Sequence, residues 1–363
     1  MKRIFAGMAA ALLAAVLFFP CRVQAMSARS AILLDAKTGR VLFEKDADRR
    51  SLIASTTKIM TALVVCEQCN VLDRMQIPQE AVGIEGSSIY LKAGEVLTIQ
   101  ELLYGMMLHS GNDAATALAI YCGGTVEGFA GLMNDKARAL GMNNSHFENP
   151  HGLDSPEHYS TARDLAILAA YAMDNPLFAK TVSAKSVTIG TRYLKNHNKL
   201  LWQIDGAEGV KTGYTKAAGR ILVSSVTRQG RRLVAVTVNA PNDWQDHKAL
   251  YEQGFVDFTV HDLVYEGQCL GAAEVFGGQT PSVELLAAES FSYALRKTER
   301  VSIRMSQPGF VYAPVEQGAN AGYAYICVDD VPVGKVALVY GQTVKQTKQN
   351  KKSLWKKVLE KEG

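Results

Sequence analysis

Ser55-Thr56-Thr57-Lys58-Ile59-Met60-Thr61-Ala62-Leu63 sets a hydroxyl three residues ahead of an amine at the head of an apolar run. The periodicity of Ile59, Met60, Ala62 and Leu63 predicts a helix, and residues three apart on a helix share a face. Ser55 and Lys58 therefore meet near a helix N-terminus, where the dipole favours developing negative charge. A serine hydroxyl needs a neighbouring base to become a nucleophile. An ammonium cannot accept a proton, so Lys58 can be that base only if burial and a second cation lower its pKa.

Two later stretches supply partners. Ser110-Gly111-Asn112 follows the apolar run 102–108, and Lys211-Thr212-Gly213 precedes the strand-like Ile221-Leu222-Val223. A Ser-x-x-Lys is expected about once by chance in a chain of this length, and a Lys-Thr-Gly in about one such chain in ten. Their order and context carry the weight: a hydroxyl with an amine, a second hydroxyl with an amide, and a cation on a strand form the parts of a serine acyl-transfer enzyme that uses Lys in place of His. Lys211 is the cation able to depress Lys58.

With these motifs the chain resembles the serine D-Ala-D-Ala carboxypeptidases of the penicillin-binding protein 5 type, among the penicillin-recognising serine enzymes. Gly86-Ser87-Ser88, Leu103-Tyr104-Gly105-Met106-Met107, Asp113-Ala114-Ala115, Asn149-Pro150-His151-Gly152-Leu153 and Tyr214-Thr215 extend the likeness, which runs from about residue 27 to about residue 345. The resemblance implies Ser55 as nucleophile, Lys58 as base and Ser110 as a proton relay to the leaving nitrogen. It implies that Asn112 holds the substrate amide and orients Lys58, that Lys211, Thr212 and Gly213 bind the substrate's end and its carboxylate, and that the backbone N–H groups of Ser55 and Tyr214 form an oxyanion hole. The prototype of this type carries an arginine in the segment after the strand that follows Lys-Thr-Gly. Here that segment is Ala240-Pro241-Asn242-Asp243-Trp244-Gln245-Asp246, which shifts carboxylate recognition toward Lys211 and Thr212, with Arg220 as a further candidate.

The implied fold is an α/β (α+β) transpeptidase/β-lactamase-like catalytic domain over residues 26–258, an antiparallel sheet with helices packed on it. Strands at 30–34 and 233–239 bracket helices at 102–121 and 162–173. From 261 to 341 short β-rich runs separated by Gly and Pro read as a small all-β sandwich domain. Asp113 reads as a brace for the loop after Ser110, His151 as a structural loop histidine, and Arg163-Asp164 as a helix start capped by Ser160 or Thr161.

Lys2-Arg3, an apolar run over 4–19 and Val23-Gln24-Ala25 read as a signal peptide over residues 1–25, hence an exported, extracytoplasmic bacterial protein. The chain has 39 basic and 35 acidic residues; without residues 1–25 the balance is +1. The segment 345–363 alone carries seven Lys and two Glu, so the remainder is acidic and offers no nucleic-acid surface. Leu354, Trp355, Val358 and Leu359 lie at helical spacing among those lysines, the pattern of a basic amphipathic anchor on an anionic membrane surface. Five of six cysteines fall after residue 25; Cys66-x-x-Cys69 lacks further ligands for a metal, and Cys269 and Cys327 are candidates to pair in an oxidising compartment.

The expected function is removal of the terminal D-Ala from peptidoglycan stem peptides, with β-lactam antibiotics as acylating inhibitors and no metal or organic cofactor required. A class A β-lactamase-like activity is the alternative, disfavoured by Gly111 where those enzymes carry Asp and by the lack of an E-x-x-L-N segment. A non-catalytic penicillin-binding sensor would keep the fold and lose the relay residues, all of which are present.

Overall fold

The computed structural model describes residues 26–347. The segment read as a signal peptide and nearly all of the basic tail lie outside the described residues.

The first domain is built on a five-stranded antiparallel sheet of β1 (Ser30–Asp35), β2 (Val41–Lys45), β3 (Ala207–Thr215), β4 (Gly219–Arg228) and β5 (Arg231–Val238), in the order β2-β1-β5-β4-β3. Its strands are apolar on both faces because both are covered. Ile32 and Leu34 of β1 with Val234 and Val236 of β5 enter the larger core, while Leu33, Leu233 and Ala235 point the other way. The larger core is shared with α1 (Lys58–Gln68), α2 (Ile99–Leu108), α3 (Asn112–Gly123), α4 (Val126–Ala139), α5 (Ala162–Ala172) and α6 (Pro176–Ser183). The smaller core seats Leu250 and Tyr251 of α7 (Asp243–Asp257).

Helix α1 occupies the centre. Its residues from Lys58 through Val65 are all buried, which suits a helix apolar on every side, and Lys58 is the one charge in that run. Helix α5 starts where the sequence placed it, with Thr161 accepting from the Asp164 N–H at 3.0 Å. The helix expected over 102–121 is instead two helices. Ser110 sits between them in a left-handed conformation (φ 65°), and the Asn112 N–H leaves the helical ladder to donate to the Ser87 carbonyl at 2.7 Å. A serine held there stores backbone strain of about 1–3 kcal/mol, a cost tolerated at functional sites.

The second domain is all-β. It comprises β6 (Thr259–Val264), β7 (Cys269–Phe276), β8 (Ser282–Ala287), β9 (Phe291–Leu295), β10 (Val301–Ser306), β11 (Phe310–Tyr312), β12 (Asn320–Val328) and β13 (Val331–Tyr340). The sandwich is uneven: a six-stranded sheet of order β10-β12-β13-β8-β7-β11 and a two-stranded ribbon, β6-β9. Val264 and Phe291 of the ribbon pack on Ile326 and Val336 of the sheet. The domains meet at Arg40, whose Nη1 donates to Glu299 at 2.9 Å and whose guanidinium lies over the Phe258 and Tyr293 rings at 4.9 and 5.0 Å.

The strand order rules out the Cys269–Cys327 pairing. Cys269 lies on β7 and Cys327 on β12, with β8 and β13 between them. Three strand spacings come to about 14 Å, twice the reach of a disulfide. Both thiols are free, as are Cys66, Cys69 and Cys122, which are half-buried against the main core. Burial pushes the Cys66 thiol up to about 12.

Candidate active site

Ser55 lies in a single 3-10 turn, Ala54–Thr57, that runs directly into α1. The turn is wedged between two backbones. Gly213 of edge strand β3 approaches so closely that a Cβ there would lie 3.2 Å from both the Ile53 carbonyl and the Thr56 nitrogen. On the other side Gly152 has φ 88°, and a Cβ on it would fall 1.8 Å from the Ala54 carbonyl oxygen. Gly152→Ala therefore has to displace the turn that carries Ser55. We expect it to lower stability by about 2 kcal/mol or more and to slow penicillin labelling at Ser55; calorimetry and labelling kinetics check both, and a variant matching the unaltered protein would mean the turn is free to move.

Lys58 is fully buried and its Nζ has three oxygen neighbours: Ser55 Oγ at 3.0 Å, Asn112 Oδ1 at 2.7 Å and the His151 carbonyl at 2.7 Å. The Asn112 amide is oriented by its own Nδ2, which donates to the Glu85 carbonyl at 2.5 Å. Two of the three neighbours of Nζ are therefore carbonyl oxygens, which only accept. A neutral amine has two N–H bonds and one lone pair. With its hydrogens on Asn112 and His151, the lone pair of Lys58 faces the Ser55 hydroxyl.

The charge state follows from the surroundings. Burial, then the nearby Lys211, hold the Lys58 amine well below its ordinary value, with Asp113 opposing. Lys211, also buried, is lowered to about 7 by desolvation, and its Nζ donates to the Thr212 carbonyl at 3.0 Å.

These groups open on a cleft of about 360 Å³ whose walls include Ser55, Ser87, Ser110, Thr212, Gly213 and Tyr214. All eight residues singled out in the sequence are thus brought together: Ser55, Ser110, Thr212, Gly213 and Tyr214 line the cleft, with Lys58, Asn112 and Lys211 buried alongside. Ser110 makes no hydrogen bond to Lys58, whose Nζ is bonded to the three oxygens already named.

Other participants take parts that the sequence did not give or gave only in outline. His151 acts through its main chain, its ring accepting only the Leu153 N–H at 3.2 Å, and burial holds that ring down at about 3. Asp113 braces a different loop from the one expected: it accepts from Ser88 Oγ at 2.6 Å and from the Ile89 and Leu91 N–H groups, pinning 88–91 to α3. His197 and Lys199 complete one wall, and Arg220 with Asp243 and Trp244 complete another. Arg220 donates through Nε and Nη2 to Asp243 at 2.9–3.1 Å and lies 5.8 Å from the Trp244 ring centre. Among the described residues no cluster of His, Cys, Asp or Glu could hold a metal.

A buried amine beside a serine, with further cations around one cleft, is the equipment for acyl transfer on a substrate bearing a carboxylate. Comparisons with known proteins agree. Residues 19–242 match the D-alanyl-D-alanine carboxypeptidase family, and residues 258–346 match the penicillin-binding protein 5 C-terminal domain. The D-alanyl-D-alanine carboxypeptidase DacF of Bacillus subtilis is 32% identical over 314 residues, covering 82% of this chain and 81% of that protein. DacC of Escherichia coli, also a D-alanyl-D-alanine carboxypeptidase, is 33% identical over 317 residues, covering 82% and 79%. Penicillin-binding protein 5 from Haemophilus influenzae superposes with a TM-score of 0.79 at 29% identity, over 90% of this chain and all of that one. The chain belongs to the D-alanyl-D-alanine carboxypeptidase family and is a serine peptidase of the penicillin-binding protein 5 type.

Proposed function

We propose that the protein is an exported carboxypeptidase that removes the terminal D-Ala from peptidoglycan stem pentapeptides through an acyl-enzyme on Ser55, and that it serves cell-wall maturation. The observation that carries this reading is the arrangement around Lys58, where two carbonyl acceptors leave the amine's lone pair for the Ser55 hydroxyl.

Neutral Lys58 takes the Ser55 proton as Oγ attacks the carbonyl of the penultimate D-Ala. The oxyanion is held by the N–H groups of Ser55 and Tyr214, each worth about 3 kcal/mol of barrier. Ser110 relays the proton held by Lys58 to the leaving nitrogen as the C–N bond breaks, so D-Ala departs with a free amine and Lys58 is neutral again. Water then attacks the ester, with Lys58 again accepting a proton, and Ser55 is restored. Penicillin opens on the same hydroxyl and leaves a slowly hydrolysed ester. Residues 1–25 direct export, and the basic tail holds the enzyme at an anionic membrane surface.

The carboxylate of the terminal D-Ala is assigned to Lys211 and Thr212 with Arg220, which stands on β4 beside the edge strand β3 and lines the same cleft. Arg220→Gln should raise KM for the peptide about tenfold, the loss of one charge-assisted hydrogen bond, while changing kcat little. An unchanged KM in a folded variant would leave carboxylate recognition to Lys211 and Thr212.

Release of D-Ala from a diacyl-L-Lys-D-Ala-D-Ala peptide tests the reading. Many turnovers per enzyme are expected. Stoichiometric penicillin labelling without turnover would make the chain a sensor, and rapid hydrolysis of penicillin would make it a β-lactamase.

A further inference from the structure

The second domain exposes an aromatic cluster with no role in the cleft. Phe276 at the end of β7 and Phe310 and Tyr312 on edge strand β11 are 49%, 50% and 72% exposed. They touch one another, with ring centres 5.3, 6.1 and 5.7 Å apart, because β7 and β11 pair in parallel with Phe276 opposite Tyr312. Single exposed apolar residues are ordinary, but a contiguous aromatic patch on a folded surface marks a contact site. The inter-domain contact uses Arg40, Phe258, Tyr293 and Glu299, so the first domain does not cover this patch.

The chain itself says what meets it. Residues 344–347 run beside the turn after β7: the Gln279 N–H donates to the Lys345 carbonyl at 2.9 Å, and the Thr347 N–H donates to the Gly277 carbonyl at 2.8 Å. Gly277 is the next residue after Phe276. The chain therefore leaves the domain beside the aromatic cluster, and the sixteen residues that follow Thr347 contain six Lys, with Leu354, Trp355, Val358 and Leu359 at helical spacing.

We infer that Phe276, Phe310 and Tyr312 form a second membrane contact, seating the all-β domain on the same anionic bilayer surface that the tail engages. Tyr312, with its polar hydroxyl on an apolar ring, suits the boundary between headgroups and acyl chains, and Phe276 and Phe310 beside it supply apolar area to bury. The lysines draw the chain to an anionic surface within a Debye length, and a tethered second contact then acts at high effective concentration. Glu274, opposite Phe310, is the single carboxylate on these two strands, so attraction comes from the tail and apolar burial from the rings. The inference rests on the proposed tail contact only for bringing the domain to the bilayer.

Co-sedimentation with phosphatidylglycerol-containing vesicles tests it, using residues 26–363. The first variant carries Phe276→Ser, Phe310→Ser and Tyr312→Ser; the second carries Leu354→Ser, Trp355→Ser, Val358→Ser and Leu359→Ser; D-Ala release confirms that each is folded. The patch variant should partition about tenfold more weakly than the unaltered chain. The tail variant should keep a residual affinity that disappears when both sets are combined. Tyr312→Asp alone, at the most exposed position of an edge strand, should also weaken binding. A patch variant that binds like the unaltered chain, while the tail variant does not, overturns the inference and leaves the tail contact standing. The reverse pattern overturns the tail contact and leaves the patch. Stronger binding by the patch variant would mean that the rings hold the tail rather than lipid, and also overturns the inference.

Discussion

Ser55→Ala is expected to reduce D-Ala release to background, a loss on the order of 10⁶-fold, and to abolish covalent labelling by a fluorescent penicillin. Both reactions are proposed to pass through an ester on the same oxygen, so they should fail together. The fold should survive. Ser55 is half-buried, its side-chain hydrogen bond is with Lys58, and the turn around it is fixed by contacts of Ile53, Ala54, Gly152 and Gly213. Removing one hydroxyl from such a place costs about 1 kcal/mol. Labelling at the unaltered rate would remove Ser55 from the mechanism.

The second large effect belongs to the lysine pair. Lys58→Ala should lower acylation by 10²–10⁴-fold or more, the contribution of a positioned base. It also strands two buried carbonyl acceptors, so the pH profile is the cleaner readout. The proposed mechanism requires Lys58 neutral and Lys211 protonated in the free enzyme. Lys58 is held well below the ordinary lysine value and Lys211 at about 7. The profile of kcat/KM should rise as Lys58 loses its proton and fall as Lys211 does. A bound carboxylate stabilises the Lys211 ammonium, so the falling limb in kcat should lie at higher pH than in kcat/KM. Lys211→Gln should remove the falling limb and move the rising limb to higher pH, because the cation that helps to depress Lys58 is gone. A rising limb that stays in place would mean that burial alone sets the Lys58 charge.

The same burial has a cost to the fold. Each lysine binds its proton more weakly when folded than when unfolded, so between about 7 and the ordinary lysine value Lys211 makes stability rise with pH. Replacing it with Met should flatten that slope in denaturation curves taken across this window.

The sequence was most informative where chemistry and local structure coincide. Ser55 and Lys58 are one helical turn apart, and a helix buried on all sides forces its single lysine to be desolvated, which both composition and periodicity announce. The break at Ser110 was hidden because apolar residues on either side continue the helical pattern, and a left-handed serine is fixed by the Asn112-to-Ser87 backbone bond rather than by its own preference. The support of Lys58 by the His151 carbonyl was invisible for a related reason: every residue has a carbonyl, and only the close passage of Gly152 over Ala54 brings this one to the amine. Cysteine pairing depended on strand order, which short β-runs do not encode. The Arg220–Asp243 pair joins a strand to a later helix, and the sequence contained only its two halves.

Mass spectrometry of the enzyme quenched during turnover of a diacyl-L-Lys-D-Ala-D-Ala peptide tests the central claim most directly. An adduct equal to the peptide less one D-Ala should appear on the segment containing Ser55, with free D-Ala in solution and no adduct in Ser55→Ala. An adduct on another residue, or D-Ala release undiminished in Ser55→Ala, would contradict it.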